Sequence, residues 1–64
     1  MNNKLARYRK FNGFNQTEVS EALHVTRVTV SNWERGVTKP TQEMKLRLAT
    51  LLNTTVSDLF DVNE

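Results

Sequence analysis

The stretch Asn15–Gly36, which reads NQTEVSEALHVTRVTVSNWERG, constrains the fold of this chain more than any other. It contains two short helical patterns. The first opens at Asn15, with Glu18 three residues later as the partner in a capping box. The second opens at Thr26, another residue that favours helix starts, and only two residues remain between the patterns for a turn. Helices this short must cross and share a core, because neither buries its apolar face alone. The pattern predicts a helix-turn-helix whose second helix runs from about Arg27–Arg35.

The apolar residues of this stretch also follow the spacing of a known motif. Its apolar slots hold Val19, Leu23, Val25, Val30 and Trp33. Ser20 holds the slot that takes a small residue where the helices touch. With the sequence WERG at 33–36 and Lys39-Pro40 after it, the chain resembles the lambda Cro and repressor family of helix-turn-helix DNA-binding regulators, from about Leu5 to Phe60. One departure is His24, at a turn position that usually holds Gly. That position is expected to be left-handed, which costs a non-Gly residue about 1 kcal/mol.

The resemblance implies an all-α, five-helix, lambda repressor-like DNA-binding domain that comprises residues 1–64, with the motif at residues 16–35. Composition agrees, since 64 residues are enough for one small domain and the apolar residues are mainly Val, Leu, Ala and Met. The remaining helices are predicted at about Asn3–Phe11, Gln42–Leu52 and Val56–Asp61. In the fourth helix, a core stripe is predicted at Met44, Leu48, Leu51 and Leu52, with Leu46 outside it.

Two charged residues are predicted to be structural. Arg9 falls on the inner face of the first helix, where an unpaired charge is very costly. Glu34, on the inner side of the second motif helix, is its candidate partner, and the resemblance implies a pair between these helices. Trp33 could stack on a base, but its inward position predicts a core residue. Phe14 is likewise predicted to pack beneath the first motif helix, against Val19 or Leu23.

The outward face of the second motif helix carries the candidate DNA-reading residues. Arg27 can donate to guanine O6 and N7, Asn32 can pair with adenine N6 and N7, and Val28 can contact a thymine methyl group. Thr29 can donate or accept. Taken singly, each is consistent with ordinary surface, and for Arg27 or Arg35 alone ordinary surface is the better interpretation. Their joint match to the base-reading slots of the family implies that these four residues read bases.

Phosphate contacts are predicted around this face. Gln16 stands at the start of a helix, where unpaired N–H groups attract anions, and the resemblance implies that it contacts the DNA backbone. The same role is predicted for Thr17, Ser31 and Arg35, and for Thr38 and Lys39 in the following loop. Residues 1–52 hold nine basic and four acidic residues, a balance of +5, whereas residues 53–64 carry −3. This distribution suits a polyanion partner but also occurs on ordinary solvated surfaces.

The sequence therefore predicts a sequence-specific regulator of transcription that binds double-stranded DNA, and specifically a repressor. A homodimer, at least on DNA, is expected to bind an inverted-repeat operator. A weak apolar dimer contact could involve Leu46, Phe60 or Val62. By analogy, so compact a chain is expected to be a cytoplasmic regulator, bacterial or encoded by a phage or mobile element. The alternative is an antitoxin or anti-repressor that mainly binds another protein.

Other functional classes have little support in the sequence. There are no paired inward carboxylates, no Ser/His/Asp or Cys/His set and no phosphate-cradling glycine loop, so an enzyme is not expected. The chain has no Cys and a single His, which argues against a zinc site, and no cofactor is predicted. No apolar run approaches the roughly 20 residues needed to span a membrane.

Overall fold

Five α-helices follow one another in the computed structural model, which describes residues 3–60. They are α1 (Leu5–Phe11), α2 (Gln16–Leu23), α3 (Arg27–Arg35), α4 (Gln42–Leu51) and α5 (Val56–Leu59). The predicted all-α architecture is confirmed, and α2 and α3 begin where the sequence places them. No helix within residues 3–60 combines the length and apolar character needed to cross a membrane.

Helix α1 begins two residues later than predicted. Asn3 instead forms an isolated antiparallel bridge with Phe60, which holds its backbone outside the helix. Its side-chain Oδ1 accepts the backbone N–H of Leu5 at 3.0 Å, and its Nδ2 donates to the carbonyl of Trp33 at 2.9 Å. Asn3 therefore assists the start of α1 and also joins it to α3.

The two motif helices are capped as the sequence predicts. Asn15 Oδ1 accepts the backbone N–H of Glu18 at 2.7 Å, and the Glu18 carboxylate accepts the backbone N–H of Asn15 at 2.8 Å. Thr26 Oγ1 accepts the backbone N–H of Thr29 at 3.1 Å and caps α3. In the turn between the helices, His24 has φ 60° and ψ 41°, which confirms the expected left-handed backbone.

The core lies between the five helices and includes the inner faces of α2 and α3. Its buried apolar residues are Leu5, Val19, Leu23, Val30, Trp33, Leu48, Ala49, Leu52 and Leu59. Trp33 is only 5% exposed, so its predicted place in the core is confirmed. Phe14, Met44 and Leu51 are half-buried and pack against this cluster, whereas Leu46 is exposed, as expected. The predicted core stripe of α4 is thus confirmed and is joined by Ala49.

The start of α4 is well formed although Gln42 and Lys45 there are polar. Thr41 caps it by accepting the backbone N–H of Met44 at 3.2 Å. Lys45 is half-buried, and its Nζ lies 5.4 Å from the centroid of the Phe60 ring. A cation over an aromatic face is favourable, so Lys45 contributes to packing through its ammonium group.

The C-terminal part of the described range closes against α1. Asn12 Nδ2 donates to the carbonyl of Leu52 at 2.9 Å, and Asn53, after the end of α4, takes the left-handed conformation (φ 59°). Helix α5 ends earlier than predicted because Phe60 is extended, with φ −124° and ψ 120°, and pairs with the start of the chain. The predicted end at Asp61 lies outside the described residues, as does Val62.

Candidate nucleic-acid interface

An ion pair beneath α3 connects this helix to α1. Arg9 Nε lies 2.6 Å from Glu34 Oε2, and Arg9 Nη2 donates to Glu34 Oε1 at 3.3 Å. The Arg9 and Glu34 side chains are only 11% and 7% exposed. Arg9 Nη1 donates to the carbonyl of Phe14 at 2.9 Å, which ties the pair to the segment before α2. The structure thus brings the two predicted partners together and provides hydrogen bonds for their buried charges, as such groups require.

Gln16 extends this network to the first residue of α3. Its Nε2 donates to Glu34 Oε1 at 3.0 Å, and its Oε1 accepts from Arg27 Nη1 at 3.3 Å. A carboxylate only accepts and a guanidinium only donates, so the orientation of the Gln16 amide is fixed by its two neighbours. A continuous chain of hydrogen bonds therefore runs from the buried Arg9 to the exposed Arg27.

The outward face of α3 carries all four predicted base-reading residues. Arg27 is exposed and Val28 is 59% exposed, which leaves an apolar β-branched group in solvent. Thr29 and Asn32 are half-buried. The Thr29 hydroxyl lies 2.9 Å from that of Thr26, so part of its hydrogen-bonding capacity is used at the helix cap. The face combines donors, acceptors and an apolar group, the mixture needed to distinguish base edges.

The predicted phosphate-binding residues flank this face. Thr17, Arg35, Thr38 and Lys39 are exposed, whereas Gln16 and Ser31 are half-buried. The loop after α3 is held close to that helix, because the backbone N–H groups of Val37 and Thr38 both point to the carbonyl of Asn32, at 2.9 and 3.5 Å. Hydrogen bonds therefore join the start of α2, the outer face of α3 and the beginning of the loop.

The sequence did not predict two of the contacts within this surface. Gln16 and Arg27 are 11 positions apart, and only the crossing of α2 and α3 brings them together. Their shared position as first residues of neighbouring helices is the one sequence signal of this contact. Asn32 and Arg35, by contrast, are three apart on one helix, a spacing that places side chains side by side. Arg35 Nη2 donates to Asn32 Oδ1 at 2.6 Å.

Two short crossed helices, a left-handed turn and an exposed polar face with cations define a helix-turn-helix DNA-binding domain. A family model for helix-turn-helix domains of the Cro/C1 type matches residues 5–59. The chain therefore belongs to this family, and the predicted lambda repressor-like fold is confirmed. Membership makes the protein a DNA-binding helix-turn-helix regulator. No curated protein matches the chain significantly.

Proposed function

We propose that this protein is a transcriptional repressor that binds a specific DNA sequence with α3 in the major groove. The observation that carries the proposal is the support of Arg27, whose guanidinium is held by Gln16 and, through it, by the buried pair of Arg9 and Glu34. A reader that is already oriented loses less conformational entropy when it binds a base edge. An arginine that only interacts with solvent gains little from being oriented by a neighbouring side chain.

The proposed roles divide the surface into readers and positioning contacts. The readers are Arg27, Val28, Thr29 and Asn32, and the phosphate contacts are Gln16, Thr17, Ser31, Arg35, Thr38 and Lys39. Gln16 uses one amide N–H for Glu34, which leaves its second amide N–H for a phosphate oxygen. Phosphate contacts fix the register of the domain on the duplex, and base contacts supply the specificity.

Repression requires only that the protein occupy its site, so the proposal needs no catalysis. Helix-turn-helix domains of this kind commonly bind as two-fold dimers, with half-sites about 34–36 Å apart. A homodimer on an inverted repeat would present one α3 to each half-site. We therefore propose an operator with two-fold symmetry.

The first test is selection of binding sites from a pool of random duplexes at near-physiological salt. Enrichment of an inverted repeat is the expected result. A single enriched half-site would support base reading but contradict the proposed homodimer. Arg27→Ala should lose the preference at one base pair of each half-site. Arg7→Ala is the matched control, because Arg7 is an exposed cation on α1 with no proposed DNA contact, and it should select the same sequence.

One surface feature favours a second candidate function, a protein-interaction module of the antitoxin or anti-repressor type. Phe11 is 85% exposed and lines an open depression on α1 together with Lys4, Arg7 and Tyr8. Basic and aromatic groups together suit an acidic protein partner. This candidate predicts tight protein binding and weak, sequence-blind DNA binding, so an absence of enriched sequences would favour it over the repressor.

A further inference from the structure

The contact between Asn32 and Arg35 fixes the orientation of the Asn32 amide. Arg35 Nη2 donates to Asn32 Oδ1 at 2.6 Å. The oxygen and nitrogen of an amide are easily interchanged in structures, but arginine has no acceptor atom. The amide atom that faces Arg35 must therefore be the oxygen. Nδ2, with its two N–H donors, points the other way.

This orientation changes what Asn32 offers to a base. Within residues 3–60, no side chain or backbone carbonyl accepts a hydrogen bond from Nδ2, so both of its donors remain for a ligand. A bidentate contact with adenine needs the amide oxygen for the N6 amino group and the amide nitrogen for N7. One of the two lone pairs of the oxygen already accepts from a cation. The positive charge of that cation repels the positive edge of an amino group, which makes the second lone pair a poor acceptor for N6. Guanine instead presents two adjacent acceptors, N7 and O6.

We propose that Arg35 is a positioning residue that sets the base preference of Asn32. With Arg35 in place, Asn32 acts as a donor and selects guanine. Without it, the amide rotates freely and pairs with adenine through both of its atoms. This inference rests on the proposed function, in which α3 enters the major groove, and it revises the adenine preference that the sequence predicts for Asn32.

The experiment begins by locating the base pair that Asn32 contacts. Sites selected by the unaltered protein and by Asn32→Ala are compared, and the base pair whose preference disappears is the one that Asn32 reads. Affinities are then measured for duplexes that differ only at that base pair. Three proteins are used: the unaltered chain, Arg35→Met and Arg7→Met. Methionine keeps a long unbranched side chain but cannot donate a hydrogen bond.

The unaltered protein should prefer guanine over adenine by about tenfold, the discrimination typical of one good base contact. Arg35→Met should lower this ratio at least about tenfold, so that the preference disappears or moves to adenine. Arg35 is also a proposed phosphate contact, but its removal in that role weakens both duplexes equally and cancels in the ratio. Arg7→Met removes the same charge elsewhere and should leave the ratio unchanged.

A second measurement leaves the protein unaltered. A duplex with 7-deazaguanine at the selected position lacks the N7 acceptor and should bind several-fold more weakly. Three results would each overturn this inference and leave the proposed function standing. They are a preference for adenine in the unaltered protein, an unchanged ratio in Arg35→Met, and full affinity for 7-deazaguanine. If the unaltered protein enriches no sequence, the proposed function fails, and the inference fails with it.

Discussion

Arg9 and Glu34 place two charges inside a domain that has very little interior. Removing ions from water is expensive, and only close pairing with further hydrogen bonds offsets that cost. Here Arg9 also donates to the carbonyl of Phe14, and Glu34 also accepts from Gln16. Among residues 3–60, no buried side-chain nitrogen or oxygen lacks a hydrogen-bond partner. The pair therefore anchors a polar network that reaches Arg27 on the outer face of α3, the surface proposed to read DNA.

Removal of one partner should destabilise the domain strongly. Glu34→Ala leaves the Arg9 guanidinium buried without its carboxylate, and we expect the free energy of unfolding to fall by about 3–5 kcal/mol. Glu43→Ala is the matched control, because Glu43 pairs with Arg47 at 2.9 Å on the exposed surface of α4. This control should change stability by less than about 0.5 kcal/mol. Urea unfolding of both variants measures the difference, and equal effects would contradict a structural role for the buried pair.

The left-handed backbone of His24 should also affect the stability of the domain. Its left-handed backbone strains an L side chain, so His24→Gly should stabilise the protein by up to about 1 kcal/mol. For a domain of this size, that corresponds to a rise in Tm of up to about 4–8 °C. Asn53 is the matched case, with nearly the same φ of 59°, but asparagine tolerates this region better. Asn53→Gly should therefore gain less. A lower Tm for His24→Gly would refute the strain argument.

At the scale of elements, the stability of α3 depends on the hydrogen bonds of its first turn. The helix has nine residues, too few to be stable alone, and its buried apolar side chains are Val30 and Trp33. Thr26 satisfies the backbone N–H of Thr29 and also contacts the Thr29 hydroxyl. The cap therefore orders the same turn that carries Arg27.

Loss of this cap should weaken the whole domain. Thr26→Ala should lower the free energy of unfolding by about 1 kcal/mol, because one backbone donor loses its partner. Thr50→Ala is a suitable control, since Thr50 is exposed within α4, where alanine favours the helix slightly. Denaturant unfolding should show that the free energy of unfolding falls in Thr26→Ala and is unchanged or slightly raised in Thr50→Ala. The same loss of stability in both variants would mean that the Thr26 hydrogen bond adds little.

On the scale of the whole molecule, binding should separate into specific and non-specific parts. Arg27→Ala should cost about 1–3 kcal/mol on the preferred sequence and relax specificity at one base pair. Lys39→Ala should weaken binding to all sequences alike and reduce the salt dependence, as the slope of log K against log salt, by about one. Titrations on selected and random duplexes at several salt concentrations distinguish the two. Equal losses on random DNA would argue against this division of roles.

The sequence by itself determined the order of the elements and the starts of α2 and α3. These depend on local rules, because a capping residue such as Asn15 or Thr26 acts within three positions of itself. The spacing of apolar residues likewise placed Val30 and Trp33 inside, and the stretch WERG indicated the family. The pairing of Arg9 with Glu34 was inferred because an inward charge requires a partner and because the family resemblance implies an ion pair between these two helices.

The tertiary structure alone decided how these elements meet. The bridge between Asn3 and Phe60 shortened both terminal helices, because pairing distant segments overrides the helical tendency of either one. The contact between Gln16 and Arg27 also depends on tertiary structure, because the crossing of α2 and α3 brings the two side chains within hydrogen-bonding distance. Such contacts depend on where two helices lie in space, which no local pattern encodes. Local chemistry therefore identified the candidate readers, whereas the packing of the helices decided how Arg27 is held.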